Sequence, residues 1–192
     1  MPFFVHFRRS SISSRSAFTE LYESTRLPVF RYIYGLTGGP QAEVEDLVAE
    51  TFLRAWKARR GFEGEPQAAV GWLIRIARRL VIDDYRRQIV RMSRRLPPDD
   101  PCTDSLPEQN ALEAEQRGKL IALLAGLPDE PRELLTLRYM LSWKVGRIAS
   151  HLGLTEDNVS VSIHRLLAKL RQQWAEGQLD EPPFSDPLEK NL

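Results

Sequence analysis

The sequence predicts an all-α protein: two small helical domains joined by a Pro-rich linker, the C-terminal one containing a helix-turn-helix. Three observations support this prediction. Apolar residues recur at helical spacing in both halves, with no convincing strand pattern between them. Prolines stand at positions 97, 98, 101 and 107, a density that no helix or central strand survives. Ala149, Gly153 and Val159 have the spacing of two helices that cross beside a tight turn.

The composition is typical of an intracellular globular protein. The 192 residues are 42% hydrophobic, which suffices for the core of one domain or of two small ones. Cys102 is the only cysteine, so the chain has no internal disulfide, and the three histidines lack metal-motif spacing. No stretch is long and apolar enough to span a membrane, and no nucleophile–base pair or phosphate loop is visible. We therefore expect a cytoplasmic protein that is not an enzyme and needs no metal, cofactor or small-molecule substrate.

Charge is distributed unevenly along the chain, although the net charge is only +1. Residues 72–95 contain eight arginines and two aspartates, a local net charge of +6. Residues 99–116 contain six acidic residues and no basic one. This division predicts surfaces with separate roles, of which the basic one suits a phosphate backbone.

The N-terminal domain is expected over residues 16–95, after a flexible arm over residues 1–15. Its first helix contains Pro28, which we expect to kink or break it. A Gly-Gly-Pro run then ends this helix and begins a second one, predicted over residues 43–59. A glycine-containing loop separates the second helix from a long basic helix.

The long basic helix, residues 70–95, has two distinct faces. Its predicted packing face consists of Trp72, Leu73, Ile76, Ala77, Leu80 and Val81. Its predicted outer face consists of Arg75, Arg78, Ile82, Tyr85 and Arg86. Cations beside an aromatic ring suit unstacked bases, whereas a solvated amphipathic helix is the plainer alternative. Asp83 stands four residues from both Arg79 and Arg87, so it is expected to form ion pairs that orient these arginines.

The linker is expected over residues 96–107, the second domain over 108–175 and a disordered tail over 176–192. A helical unit is predicted over 108–126. Leu127 and Pro128 then restart the chain into a helix that ends near residue 141. The linker allows the two domains to be placed independently.

Residues 142–169 contain the helix-turn-helix pattern, and Thr155 is the predicted N-cap of its second helix. The predicted shared core is Ile148, Leu152, Leu154, Ile163 and Leu166. The predicted exposed positions of the second helix are Asn158, Ser160, Val161, Ser162, His164, Arg165 and Lys169. These residue types suit contacts to bases and phosphates, whereas a helical hairpin without a nucleic-acid role is the alternative.

Taken together, these segments resemble bacterial RNA polymerase sigma factors of the extracytoplasmic-function (ECF) group, in the sigma-70 family. The likeness lies in VEDLVAETFLRAW (44–56), GWLIRIARRLVIDDYRR (71–87) and LPDEPRELLTLRYM through IASHLGLTEDNVSVSIHR (127–165). It covers roughly residues 18–95 and 108–174. Each motif alone is moderately specific, but three in this order across a Pro-rich linker are highly specific.

The resemblance implies that both domains act on promoter DNA while bound to core RNA polymerase. It implies polymerase contacts at Glu45, Asp46, Glu50, Thr51, Phe52 and Arg54. It implies that the melted minus-ten element is held by Phe62, Trp72, Arg75, Arg78, Arg79, Tyr85, Arg86 and Arg87. It implies that the minus-thirty-five element is read by Thr155, Asn158, Ser160, Val161, Ser162, His164, Arg165 and Lys169. An anti-sigma factor, wedged between the domains, is a further implied partner.

This chain departs from the family pattern at several positions. The family commonly has Asn at the position of Arg79 and Glu at that of Arg147. It tends to have basic residues where this chain has Ser160 and Ser162. The second helix of the helix-turn-helix is therefore less cationic than is usual in the family. Its affinity for the minus-thirty-five element either depends more on hydrogen bonds or is weaker.

Two other functions remain open at the level of sequence. One is a helix-turn-helix regulator that binds duplex DNA without polymerase. The other is a sigma-like interaction protein that sequesters an anti-sigma factor or polymerase and reads no promoter. Tight duplex binding without polymerase favours the first of these, whereas promoter-dependent transcription favours a sigma factor.

Overall fold

In the computed structural model the chain divides into two compact units, residues 1–104 and 105–192, and the division falls within the expected linker. The structure describes residues 12–62, 64, 66–92, 124 and 126–176. Over these residues the only regular elements are helices, which confirms the predicted all-α class. None of the described helices is long and apolar enough to cross a membrane. The linker with Cys102, most of the helix predicted over 108–126, and the tail from residue 177 lie outside the described residues.

The first unit is a bundle of three helices that all contact one another. These are α1 (Arg15–Thr37), α2 (Gln41–Ala58) and α3 (Pro66–Met92), with a 3₁₀ turn at Arg59–Gly61. Their apolar stripes meet in one core, whose largest members include Phe18, Leu21, Tyr32, Ile33, Val44, Val48, Phe52, Leu73, Ile74 and Leu80. The predicted packing arc of the basic helix is thus confirmed at Leu73, Ala77 and Leu80.

Helix α1 is continuous through Pro28, so the predicted break is wrong. A proline inside a helix removes one hydrogen bond and crowds the preceding turn. Here Thr25 and Val29 are both buried on either side of Pro28, so packing against the bundle outweighs the local cost. The predicted end of the helix is confirmed: Gly38 is left-handed (φ 59°), and its N–H donates to the carbonyl of Tyr34 at 2.8 Å.

The prediction of a flexible arm up to residue 15 is wrong for residues 12–15. Ile12 is only 1% exposed, and the Ser14 hydroxyl caps α1 by accepting the N–H of Ala17 at 3.2 Å. Nε of Arg59 donates to the carbonyl of Ser13 at 3.0 Å. This contact joins residues that are 46 positions apart, and no local pattern in the sequence indicates it.

The second unit contains the predicted helix-turn-helix. Its described helices are α4 (Asp129–Leu135), which continues into a π-helical turn at Thr136–Met140, then α5 (Val145–Leu152) and α6 (Glu156–Glu176). Helix α6 packs against both α4 and α5. The chain reverses between α5 and α6 at Gly153, whose φ of 71° is left-handed, as the spacing predicted.

The core of the helix-turn-helix agrees only in part with the prediction. Ile148 and Ile163 are buried, whereas Leu154 is 46% exposed because it lies in the turn after the left-handed glycine. Leu167 and Leu170 are buried instead and were missed. Since α6 also packs against α4, its buried face continues for two turns beyond Ile163.

Candidate nucleic-acid and protein interfaces

The packing of α3 determines which of its arginines reach the surface. Leu73 and Leu80 are buried in the bundle. Arg75, Arg79 and Arg86 lie on the opposite side and are exposed. Their spacing of four and seven residues puts them within about 40° of one another on the helix. Ile82 lies between Arg79 and Arg86 along this row, and Asp83 lies at its edge, outside the 40° arc. We call the three exposed arginines the cationic strip.

The flanks of this strip differ from one another. Tyr85 is 61% exposed, so its ring is available for stacking. Arg78 is half-buried and interacts with another group of the chain, so it is less available than predicted. The predicted ion pairs of Asp83 with Arg79 and Arg87 are absent from the described residues. The expectation that Asp83 orients these arginines is therefore wrong.

Phe62 and Trp72 form an aromatic pair at the beginning of α3. Their ring centroids are 5.0 Å apart at an angle of 45°, and both residues are half-buried. Trp72 therefore lies beside the core rather than in it, which corrects its place in the predicted arc. A β-carbon at Gly64 would lie 2.5 Å from Cζ of Phe62, so residue 64 can lie against this ring only because it lacks a side chain.

The outer face of α6 is polar and only weakly cationic. Thr155 caps the helix by accepting the N–H of Asn158 at 3.3 Å, as predicted. Ser162 is half-buried rather than exposed. The remaining predicted residues of this face are exposed: Asn158, Ser160, Val161, His164, Arg165 and Lys169.

A second set of residues at the helix-turn-helix was missed by the sequence reasoning. Trp143, just before α5, is buried, and its ring contacts His151 edge-on with a centroid distance of 5.2 Å. The guanidinium of Arg147 lies over the same ring, 4.1 Å from its centroid. Partial burial lowers the pKa of Arg147 from its ordinary value, but arginine stays cationic at neutral pH. An aromatic followed four residues later by arginine in a helix was the available signal.

Helix α2 presents an acidic surface around an apolar residue. Leu53 is 47% exposed, and on the same side of the helix Glu50 lies about one turn before it and Asp46 about two turns before it. Nε of Arg54 forms an ion pair with Glu50 at 2.7 Å. Glu45 accepts a hydrogen bond from the side-chain amide of Gln41 at 2.7 Å, whereas Asp46 is exposed.

Two residues predicted on this acidic surface are not on it. Thr51 is fully buried, and its hydroxyl donates to the carbonyl of Leu47 at 2.7 Å. Phe52 is buried too, with its ring edge-on to Tyr22 at a centroid distance of 4.8 Å. Both face the bundle core in the helical repeat, so their assignment as surface contacts is wrong. They position α2 instead.

The fold and these surfaces define a class of protein: two helical units, one with a cationic aromatic-flanked helix and the other with a helix-turn-helix. Comparison with known protein families finds one family match in each of the two units. The sigma-70 region 2 family matches residues 21–89, and the sigma-70 region 4 family matches residues 117–170.

Named relatives make the assignment more specific. The chain is 32% identical over 156 residues to the ECF RNA polymerase sigma factor SigL of Mycobacterium tuberculosis, covering 79% of this chain and 85% of SigL. It is 30% identical over 164 residues to the ECF RNA polymerase sigma factor BldN of Streptomyces coelicolor. That match covers 84% of this chain but only 62% of BldN.

Solved structures show the same fold. CnrH, in complex with the cytosolic domain of CnrY, superposes with a TM-score of 0.59 at 25% identity, covering 85% of this chain and 90% of CnrH. The sigma factor RpoE of Bartonella quintana, in complex with the anti-sigma factor NepR, superposes with a TM-score of 0.61 at 18% identity. That match covers 85% of this chain and 99% of RpoE. This chain belongs to the ECF group of RNA polymerase sigma factors.

Proposed function

We propose that this protein binds core RNA polymerase and directs it to start transcription at a specific set of promoters. The observation that carries the proposal is the presence, in one chain, of the exposed cationic strip on α3 and the helix-turn-helix of α5 and α6. One surface suits an opened strand and the other an intact duplex, which is the pair of DNA forms that initiation requires. The identity to SigL supports this function.

The first unit is proposed to hold the melted minus-ten element. Arg75, Arg79 and Arg86 follow the phosphate backbone of the single strand, and Tyr85 offers an exposed ring on which a base stacks. The aromatic pair of Phe62 and Trp72 offers a further apolar surface for a base at the beginning of α3. Turning a base out of the stack costs a few kcal/mol, which such contacts offset.

The second unit is proposed to read the minus-thirty-five element. Recognition helices of this motif enter the major groove, and their N-terminal residues meet the base edges. In α6 these positions are occupied by Asn158, Ser160 and Val161, all exposed. Hydrogen bonds and a methyl contact therefore read the bases, while Arg165 and Lys169 hold the backbone.

Core polymerase is proposed to bind the acidic face of α2. Leu53 supplies exposed apolar area, and Asp46 supplies an exposed carboxylate two turns away on the same side of the helix. An apolar centre with a charged rim is the usual composition of a specific protein interface. The proposed partner surface is therefore basic around an apolar pocket.

A further protein partner, of the anti-sigma kind that the family resemblance implies, is included in the proposal. CnrH, the 25% identical relative, was solved in complex with the cytosolic domain of another protein, CnrY. Such a partner would compete with polymerase or DNA for the two units.

The experiment that separates this function from its alternatives is a DNA-binding titration with and without core polymerase. Promoter fragments are first selected by their retention on the complex of polymerase and this protein. A sigma factor is expected to retain these fragments only when polymerase is present. Tight binding by the chain alone would instead establish a regulator that acts without polymerase. A selection that yields no fragment, together with no DNA binding by the chain alone, would establish an interaction protein.

A further inference from the structure

Trp143 is held rigidly at the entrance to α5. Its backbone N–H donates to the carbonyl of Leu137 at 3.1 Å, and its backbone carbonyl accepts from the guanidinium of Arg138 at 3.1 Å. The preceding residue, Ser142, has a φ of 54°, a left-handed turn that brings the tryptophan back over the π-helical segment. The indole is also buried, so one of its faces is a fixed platform.

Arg147 occupies that platform without using its hydrogen-bonding capacity. Its guanidinium carbon is 4.1 Å from the centroid of the Trp143 ring, and the residue is exposed. In the described part of the chain no acceptor takes a hydrogen bond from this guanidinium, whereas the backbone N–H of Arg147 donates to the carbonyl of Lys144 at 3.0 Å. Arg132 in the same unit behaves differently, since it donates to the carbonyls of Leu124 and Leu127. Stacking leaves the in-plane N–H groups of Arg147 free for an outside acceptor.

The location of Arg147 identifies that acceptor. A β-carbon at Gly146 would lie 2.8 Å from Oε1 of Glu156, so the first turn of α5 lies directly against the first turn of α6. When the beginning of α6 enters the major groove, the first helix crosses the sugar–phosphate backbone at its edge. This turn of α5 contains no acidic residue of its own and the exposed Lys144 precedes it, while the Glu156 carboxylate lies against its Gly146 side.

We propose that Arg147, oriented by stacking on Trp143, binds a backbone phosphate of the upstream duplex and supplements the weakly cationic α6. This inference rests on the proposed function, because it assumes that α6 is inserted into duplex DNA. Trp143 is a positioning residue and does not touch DNA. The contact is to phosphate rather than to a base, so it adds affinity without changing sequence preference.

The test is a salt titration of full-length protein assembled with core polymerase, on promoter fragments retained by that complex. For Arg147→Ala the slope of log affinity against log salt is expected to fall by about 0.9, the value for one phosphate of B-DNA. Arg147→Lys should keep the slope because it keeps the charge. Arg26→Ala, an exposed arginine of α1, removes the same charge from the other unit and should leave the slope unchanged.

A second variant tests the positioning role. Trp143→Leu keeps an apolar side chain in the core but removes the ring, so affinity is expected to fall roughly two- to fivefold, the equivalent of one exposed cation–π contact. Its salt slope should stay at the wild-type value, since the charge of Arg147 remains. Trp143→Phe, which keeps an aromatic face, should recover most of the affinity.

The outcomes separate this inference from the proposed function. If wild-type protein selects promoters but Arg147→Ala has the wild-type slope, the phosphate contact is refuted and the sigma function stands. If the wild-type protein selects no promoter, the proposed function is refuted. The same slope comparison is then made with a 40-base-pair duplex and the chain alone, where an unchanged slope refutes the contact and a reduced slope supports it.

Discussion

Individual side chains of the same type have different roles in this protein, and the fold decides which. Arg132 and Arg59 donate to backbone carbonyls and stabilise turns, whereas Arg75 and Arg165 are exposed and available to a partner. Helical periodicity predicted Arg75 and Arg86 on the outer face of α3, but it put the half-buried Arg78 there in place of the exposed Arg79. It could not identify the role of Arg59, because that role depends on Ser13, far away in the chain.

Arg165 tests the upstream interface at this scale. We expect Arg165→Ala to weaken promoter capture by the polymerase complex to a similar degree for all upstream sequences, and to reduce the salt slope by about one. Arg165→Lys should retain the slope. Capture is measured by filter binding over a range of salt concentrations, and a slope equal to the wild type in Arg165→Ala would remove this residue from the interface.

Asp46 tests the polymerase interface. Because its carboxylate is exposed on the same side of α2 as Leu53, Asp46→Arg should abolish co-purification with core polymerase while leaving the helical circular dichroism and thermal unfolding unchanged. The matched control is Glu23→Arg, the same charge reversal at an exposed position on α1. Normal co-purification of Asp46→Arg would show that this face of α2 does not bind polymerase.

At the scale of elements, the sequence predicts best where a structure depends on local spacing. The reversal at Gly153 and the cap at Thr155 were both predicted from neighbouring residues, and both are present. The break at Pro28 was predicted by an equally local rule and is absent, because tertiary packing of α1 decides there. Thr51 and Phe52 were assigned as polymerase contacts by resemblance, whereas both lie on the buried face of α2.

The turn of the helix-turn-helix provides a prediction at this scale. Gly153→Ala puts a β-carbon into the left-handed region at φ 71°, which should destabilise the second unit by about 1–2 kcal/mol. Gly61→Ala is the control, because a β-carbon there meets no atom within 4 Å and φ is not left-handed. Hydrogen exchange of the α6 amides measures the difference. Equal protection in Gly153→Ala and the wild type would mean that the turn tolerates a side chain without strain.

At the scale of the whole molecule, the protein combines two helical units with complementary surfaces. The first presents a cationic strip and an acidic helix, α3 and α2, and the second presents a polar recognition helix, α6. Neither unit alone has both the single-strand and the duplex surface. Specific initiation is therefore expected only from the full chain on polymerase.

The most direct test of this account maps the 5′ ends of transcripts made from bacterial genomic DNA by core polymerase, with and without the purified protein and with no inhibitor present. The account predicts a small set of discrete start sites that share sequence elements upstream and that are absent with core polymerase alone. The same scattered ends in both reactions would contradict it.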